Sequence, residues 1–140
     1  KRPLKIASKI SKYYNDDLKN IILTILGLSF KPNTDDIRDS TSLIIAQELL
    51  KKGAKLKVYD PKAMQNTKKK MNELLFCDNA YEACEQSNGL IIATEWKEFT
   101  TLDLQRIKTL LLQPVIFDLR NIYNQSDILT LGIEYFGIGR

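Results

Sequence analysis

Two groups of charged side chains in this sequence could bind an anion. The first lies within residues 27–40, where Lys31 and Arg38 occur together with three aspartates. The second is the Asp-Leu-Arg-Asn sequence at residues 118–121, in which Arg120 could form a bidentate contact with a phosphate or a carboxylate. A structural role is the alternative in both places, because aspartates also cap helices and pair with arginine. The residues alone leave both interpretations open.

The sequence offers few groups that could catalyse a reaction. It contains no histidine, which excludes serine–histidine and cysteine–histidine nucleophile arrangements, histidine general bases and histidine metal sites. Its two cysteines, Cys77 and Cys84, have no metal-binding or redox spacing, and an acidic residue follows each of them. We therefore expect no catalytic residue and no metal ligand in this chain. The scarcity of cysteine also predicts a reducing, cytoplasmic location.

The composition is that of an ordinary globular domain with a basic surface. The chain has 140 residues, of which 44% are hydrophobic and 27% are charged, and its net charge is +4. A basic domain can bind nucleic acid or phosphorylated small molecules. The three lysines at residues 68–70 are interpreted as a solvated helix face, because no aromatic residues are interleaved with them for base stacking. For this reason we expect no nucleic acid as partner. No apolar run is long enough to span a bilayer, so we also expect no membrane as partner.

Apolar runs and helical periodicity alternate along the chain, as in a doubly wound α/β domain. Predicted strands cover residues 21–28, 56–59, 74–76, 89–93, 115–118 and 133–136. Predicted helices cover residues 42–52, 63–72, 79–86 and 103–111. Several strands are continuously apolar, which indicates a sheet that is covered on both faces. The sequence therefore predicts a three-layer α/β/α, Rossmann-like domain with a mainly parallel sheet of about five to six strands.

Both charged groups directly follow predicted strands, and this position favours a ligand. In doubly wound sheets, ligands bind beyond the carboxyl ends of the strands, near the point where the strand order reverses. The loop at residues 30–40 leads into a helix, whose first backbone N–H groups also favour an anion. This loop is long and polar and lacks the G-x-G-x-x-G pattern of a dinucleotide-binding turn.

The first residues of the chain are predicted to belong to a different structural unit from the rest. Apolar positions in residues 4–14 recur at helical spacing, but no capping residue comes before them. This pattern predicts the end of a helix that begins upstream, so we expect the chain to be a fragment. The predicted division is an upstream, central helix over residues 1–17 and a binding domain over residues 18–140.

Several motifs resemble, in order, the UDP-binding domain of the UDP-glucose/GDP-mannose dehydrogenase family. The most specific is the sequence GLSFKPNTDDIRDS at residues 27–40. The later motifs are YDP at residues 59–61, TEW at residues 94–96, DLRN at residues 118–121 and the ending YFGIGR at residues 135–140. The ending is similar to the carboxyl termini of bacterial members. Together the motifs extend the resemblance over about residues 21–140.

The resemblance implies an enzyme that oxidises the sugar C6 alcohol of a UDP-sugar to a carboxylate in two NAD-linked steps, through a catalytic cysteine. The Cys-x-x-Lys-Asp context of that cysteine and the glycine fingerprint for NAD are both absent from this sequence. The resemblance therefore implies a domain that binds the UDP-sugar and works with the enzyme's own N-terminal and central domains, in a homodimer. It also implies that Phe30, Lys31 and Arg120 line the UDP-sugar site and that Arg38 faces NAD.

Within the family, the loop at residues 30–36 is more similar to the UDP-glucose dehydrogenases than to the enzymes for other sugars. The alternatives are a UDP-N-acetylmannosamine or GDP-mannose dehydrogenase, a non-enzymatic nucleotide-binding module and a basic nucleic-acid-binding domain. One departure from the family pattern is Leu119, which occupies a position that is commonly glycine. A leucine there predicts a slightly different rim of the pocket.

Overall fold

Six strands form one parallel sheet in the computed structural model, which describes residues 2–138 of the chain. The strands are β1 (Ile22–Leu26), β2 (Lys55–Tyr59), β3 (Leu75–Phe76), β4 (Gly89–Ile92), β5 (Val115–Asp118) and β6 (Glu134–Gly137). Their order across the sheet is β3-β2-β1-β4-β5-β6, and every neighbouring pair is parallel. The strand order reverses between β1 and β4, so the predicted doubly wound sheet is confirmed.

Seven helices connect or precede these strands in the described part of the chain. They are α1 (Arg2–Tyr13), α2 (Thr41–Lys51), α3 (Met64–Lys70), α4 (Ala80–Cys84), α5 (Lys97–Thr100), α6 (Leu104–Leu110) and α7 (Gln125–Thr130). The four helices predicted between strands are present; α2 has its predicted length and starts one residue earlier, and α3, α4 and α6 are shorter than predicted. Sequence reasoning missed α5 and α7, of four and six residues, which are too short to show helical periodicity.

The two faces of the sheet carry separate apolar clusters. Successive residues of a strand point to opposite faces, so Leu23 and Ile25 join one cluster while Leu26 joins the other. The first cluster includes buried residues of α1 and α2, and the second includes those of α4 and α6. Both faces of the sheet are therefore covered, which explains the continuously apolar strands and confirms the three-layer architecture.

Helix α1 is packed into the core of the described domain. Its residues Ile6, Ala7 and Ile10 belong to the same apolar cluster as the sheet. The hydroxyl of Tyr14, just after the helix, donates a 2.6 Å hydrogen bond to the carbonyl of Asn88, which precedes β4. The division at residue 17 stays a prediction, but α1 shares its apolar core with the sheet. Lys1 and the last two residues of the predicted terminal motif, Gly139 and Arg140, lie outside the described residues.

None of the helices within residues 2–138 has the length and hydropathy needed to cross a membrane.

Candidate functional site

The guanidinium group of Arg120 connects the loops that follow three strands. Its Nε donates a 3.0 Å hydrogen bond to the carbonyl of Ala93, after β4. Its Nη1 pairs with Oε1 of Glu95 at 3.2 Å, and its Nη2 donates to the carbonyl of Phe30, after β1, at 3.3 Å. Arg120 itself follows β5. The loops after β1, β4 and β5 therefore meet at the carboxyl edge of the sheet, where the strand order reverses.

Asp118 and Arg120 do not form the side-chain salt bridge that was the structural alternative for this motif. Asp118 is fully buried, and its carboxylate accepts the backbone N–H groups of Arg120 and Tyr123, both at 3.1 Å. It also accepts the hydroxyl of Tyr135 at 2.7 Å. Asp118 thus fixes the turn that carries Arg120, while the arginine side chain extends towards Glu95. The salt-bridge alternative is wrong because the two side chains point in different directions.

The loop after β1 is attached to the start of α2 by two serine hydroxyls. Ser42 Oγ donates to the carbonyl of Gly27 at 2.6 Å, and Ser40 Oγ donates to the carbonyl of Leu28 at 2.7 Å. Ser40 also caps α2 by accepting the N–H of Leu43. The first residues of the loop and the amino terminus of α2 are therefore held together.

The three residues predicted to contact the UDP-sugar lie together in the structure. The side chain of Phe30 is 50% exposed, and the adjacent Lys31 is also exposed. The Phe30 carbonyl contacts Arg120, and its N–H donates to the carbonyl of Asp36 at 3.0 Å, which folds the loop back on itself. The backbone of Phe30 therefore contacts the arginine, and the exposed Lys31 is the next residue in the chain.

Arg38 extends from the far end of the same loop. Its Nε and Nη2 donate to the two carboxylate oxygens of Asp36, at 3.0 and 2.9 Å. The hydrogen bonds from the Arg38 side chain are the main cause that lowers the pKa of Asp36 to about 2. Asp36 binds one edge of the guanidinium, and the rest of the Arg38 side chain, which is 86% exposed, faces outward. This ion pair is compatible with both interpretations of Arg38, as a cofactor contact and as a loop brace.

Arg120 also lines a cavity of about 430 Å³, together with residues of α1 and of the start of α2. Its lining combines apolar side chains with hydroxyl, amide and guanidinium groups. The lining residues are Arg2, Pro3, Ile6, Thr41, Ser42, Ala93, Leu119, Arg120 and Asn121. Leu119, in place of the family's usual glycine, forms part of this wall. Sequence reasoning missed Thr41 and Ser42 as cavity residues, although their position at a helix start was a signal, whereas Asn121 belongs to the motif singled out after β5.

The comparison of sequences decides the family. The sequence profile of the UDP-glucose/GDP-mannose dehydrogenase family, UDP binding domain, matches residues 24–125. The chain belongs to this family. It is 40% identical over 140 residues to the UDP-glucose 6-dehydrogenase of Rickettsia bellii, an alignment that covers 99% of this chain and 32% of the relative. It is 38% identical over 139 residues to the UDP-glucose 6-dehydrogenase of Rhizobium meliloti, and this alignment also covers 99% of this chain and 32% of the relative. The chain thus spans about a third of the length of these curated relatives.

Solved structures of two dehydrogenases have the same fold. A UDP-glucose dehydrogenase from Pyrobaculum islandicum is 27% identical, with a TM-score of 0.81 over 99% of this chain and 29% of that chain. The UDP-N-acetyl-mannosamine dehydrogenase Cap5O from Staphylococcus aureus is 21% identical, with a TM-score of 0.75 over 99% of this chain and 31% of that chain. At that identity, the second likeness concerns the fold alone.

The two cysteines of this family member are poorly suited to nucleophilic chemistry. Burial raises the pKa of the Cys84 thiol to about 12 and also raises that of Cys77. A nucleophilic cysteine needs a thiolate near neutral pH, which these environments disfavour. Among residues 2–138, no group of three or more histidine, cysteine or acidic side chains could hold a metal ion.

Proposed function

We propose that this chain is the UDP-sugar-binding domain of an NAD-dependent UDP-glucose 6-dehydrogenase, which oxidises UDP-glucose to UDP-glucuronate in two steps. The observation that carries this proposal is the position of the Arg120 guanidinium. It connects three strand-end loops at the reversal of the strand order and lies beside the exposed Phe30 and Lys31. Membership of the family, and the similarity to UDP-glucose 6-dehydrogenases over the whole chain, support UDP-glucose as the substrate.

The donors of Arg120 fit a pyrophosphate. A guanidinium carries five N–H donors, and the contacts with Ala93, Glu95 and Phe30 use three of them. The two remaining donors belong to Nη1 and Nη2, which together can form a bidentate contact with phosphate oxygens. Lys31 contributes a second positive charge, and the exposed Phe30 ring offers an apolar surface to the nucleoside. Each predicted residue thus has a distinct part in binding the UDP-sugar.

The oxidation itself requires groups that this sequence does not contain. NAD supplies the oxidising capacity when it is bound, and we place it mainly on the enzyme's N-terminal domain. The outward guanidinium of Arg38, oriented by Asp36, fits a contact with an anionic cofactor across a cleft. The catalytic cysteine belongs to the central domain in this proposal. We also propose that the complete enzyme is a cytoplasmic homodimer.

Binding and oxidation measured on the isolated chain test this proposal. We expect a cooperative thermal melt, binding of UDP-glucose by titration calorimetry, and stronger competition by UDP than by GDP. We expect no formation of NADH when UDP-glucose and NAD are added, because neither cysteine is suited as the nucleophile. NADH formation above a control without protein would contradict the proposal. Stronger binding of GDP than of UDP would instead favour a GDP-mannose dehydrogenase.

Replacing Arg38 with alanine should impair NAD more than UDP-glucose. In the full-length enzyme we expect the KM for NAD to rise roughly tenfold, because one charge-assisted contact is lost. The KM for UDP-glucose should change little. The melting temperature should stay nearly constant, because the side chain is 86% exposed. Steady-state kinetics with each substrate varied in turn measure this. Asp36→Asn is the control that removes only the orienting charge. A lower melting temperature without a selective NAD defect would leave Arg38 as a loop brace.

A further inference from the structure

Asp60 is a buried carboxylate that binds only backbone N–H groups. It follows β2 and is 1% exposed. Its Oδ2 accepts the N–H groups of Leu28 at 2.7 Å and Ser29 at 3.4 Å. Its Oδ1 accepts the N–H groups of Lys62 and Ala63, both at 2.8 Å. A buried carboxylate is tolerated only when hydrogen bonds replace its hydration, and these four donors do so.

The contacts of Asp60 differ from those of the acidic residue at the same place in dinucleotide-binding domains. There, an acidic residue at the end of the second strand hydrogen-bonds the ribose of the cofactor. In this domain both carboxylate oxygens face the backbone of two loops, one after β1 and one before α3. The Asp60 carboxylate therefore hydrogen-bonds the protein's own backbone, and these hydrogen bonds join the two loops.

The loop that Asp60 holds is the one that carries the proposed UDP-sugar contacts. Leu28 and Ser29, whose N–H groups it accepts, directly precede Phe30. The Phe30 carbonyl in turn accepts Nη2 of Arg120 at 3.3 Å. Ser29 Oγ donates to the carbonyl of Lys31 at 2.7 Å, which continues the same connection along the loop. The hydrogen bonds of Asp60, the backbone of residues 28–31 and the contact of the Phe30 carbonyl thus connect Asp60 to all three proposed contacts.

We propose that Asp60 is a positioning residue for UDP-sugar binding, which sets the place of Phe30 and Lys31 and, through the Phe30 carbonyl, the orientation of Arg120. The proposal rests on the proposed function of this domain. It assigns a role to the Tyr-Asp-Pro motif at residues 59–61, which otherwise has no part in the site. Asp60 itself does not contact the UDP-sugar.

The test uses the full-length enzyme and its Asp60→Asn and Asp60→Ala variants. The asparagine keeps the volume but places an N–H₂ group against backbone donors, and the alanine removes all four contacts. We expect the KM for UDP-glucose and the Kd for UDP to rise about tenfold in Asp60→Ala and less in Asp60→Asn. The KM for NAD should rise less than the KM for UDP-glucose, because the Arg38 side chain is held by Asp36 and Asp60 contacts neither of these residues. If Asp60→Ala does not fold, Asp60→Asn carries the test alone.

A control variant separates positioning from loss of stability. Asn79 caps α4 by accepting the N–H of Glu82 at 2.8 Å, and it follows β3, an edge strand two strands away from β1. Asn79→Ala should lower the melting temperature as a lost cap does, without changing the Kd for UDP. If the Asp60 variants behave like Asn79→Ala, or raise both KM values equally, the positioning role is wrong.

A double variant tests the path to Arg120. If Asp60 acts through the Arg120 site, Asp60→Asn combined with Arg120→Ala should weaken UDP binding less than the product of the two separate effects. Fully multiplicative effects would overturn the path through the Phe30 carbonyl. Failure of the wild-type enzyme to bind UDP-glucose would contradict the proposed function, and this is visible before any variant is compared.

Discussion

Replacing Arg120 with alanine should weaken the binding of UDP-glucose to the full-length enzyme by about 2 kcal/mol, or roughly thirtyfold, the value of a lost charge-assisted pair. The alanine removes the two free donors proposed to bind the pyrophosphate. It also leaves the carbonyls of Ala93 and Phe30 without their guanidinium partner, so the loops after β1 and β4 lose their connection. Calorimetric titration with UDP-glucose measures the effect.

Two further variants identify which property of Arg120 matters. Arg120→Lys keeps the charge, but one ammonium group cannot contact Ala93, Glu95 and Phe30 and also grip a phosphate. We therefore expect only partial recovery of affinity. Glu95→Gln is the matched control, since it removes a partly exposed ion pair that contributes at most about 1 kcal/mol. Unchanged affinity in both arginine variants would show that Arg120 only connects the loops.

Replacing Gly27 with alanine should lower the free energy of unfolding by at least about 3 kcal/mol. Gly27 directly follows β1 and has a φ of +102°, a conformation that an L-residue rarely adopts. A Cβ atom there would overlap Thr94 Oγ1 and would lie 2.8 Å from the backbone N of Thr94. Because β1 and β4 are neighbours, the overlap would push apart the two strands whose loops form the site. Denaturant unfolding of the isolated chain measures the loss.

Gly53 and Thr94 provide the comparisons for this experiment. Gly53 has a similar φ of +106°, but the atom nearest to its added Cβ is the backbone N of Lys19, at 3.3 Å. Gly53→Ala should therefore cost only the conformational strain, about 1–2 kcal/mol. Thr94→Ala combined with Gly27→Ala should recover part of the loss, because the overlap with the hydroxyl disappears while the backbone contact stays. Equal losses for the two glycine variants would show that the overlap contributes nothing.

The strands could be predicted from the sequence because their signals are local. Buried strands such as β4 are continuously apolar, and the two charged motifs that we propose to bind the UDP-sugar directly follow β1 and β5. Helix α7 could not be predicted from periodicity, because it has six residues, although Asn124 accepts the N–H of Asp127 as a recognisable cap. Helices of this length depend on packing against the sheet, which a sequence pattern does not reveal.

The internal partners of the site could not be predicted because they are distant along the chain. Arg120 contacts the Phe30 carbonyl across 90 residues and Glu95 across 25 residues. These contacts follow from the strand order, which brings β1, β4 and β5 side by side. The partners of Asp118 could not be predicted for a similar reason. Its side chain lies on the same face of β5 as that of Ile116, and there the buried Tyr123 and Tyr135 are its partners.

The packing of α1 has a consequence for cleavage of the chain. The turn that follows it, at residues 15–17, is exposed, and both Asn15 and Asp16 have a positive φ. A protease would find an accessible peptide there. Ile6 and Ile10 remain buried in the cluster under the sheet, and Tyr14 keeps its hydrogen bond to Asn88. The nicked molecule would therefore stay together as two complementary pieces, because α1 is held by its buried surface rather than by the continuity of the backbone.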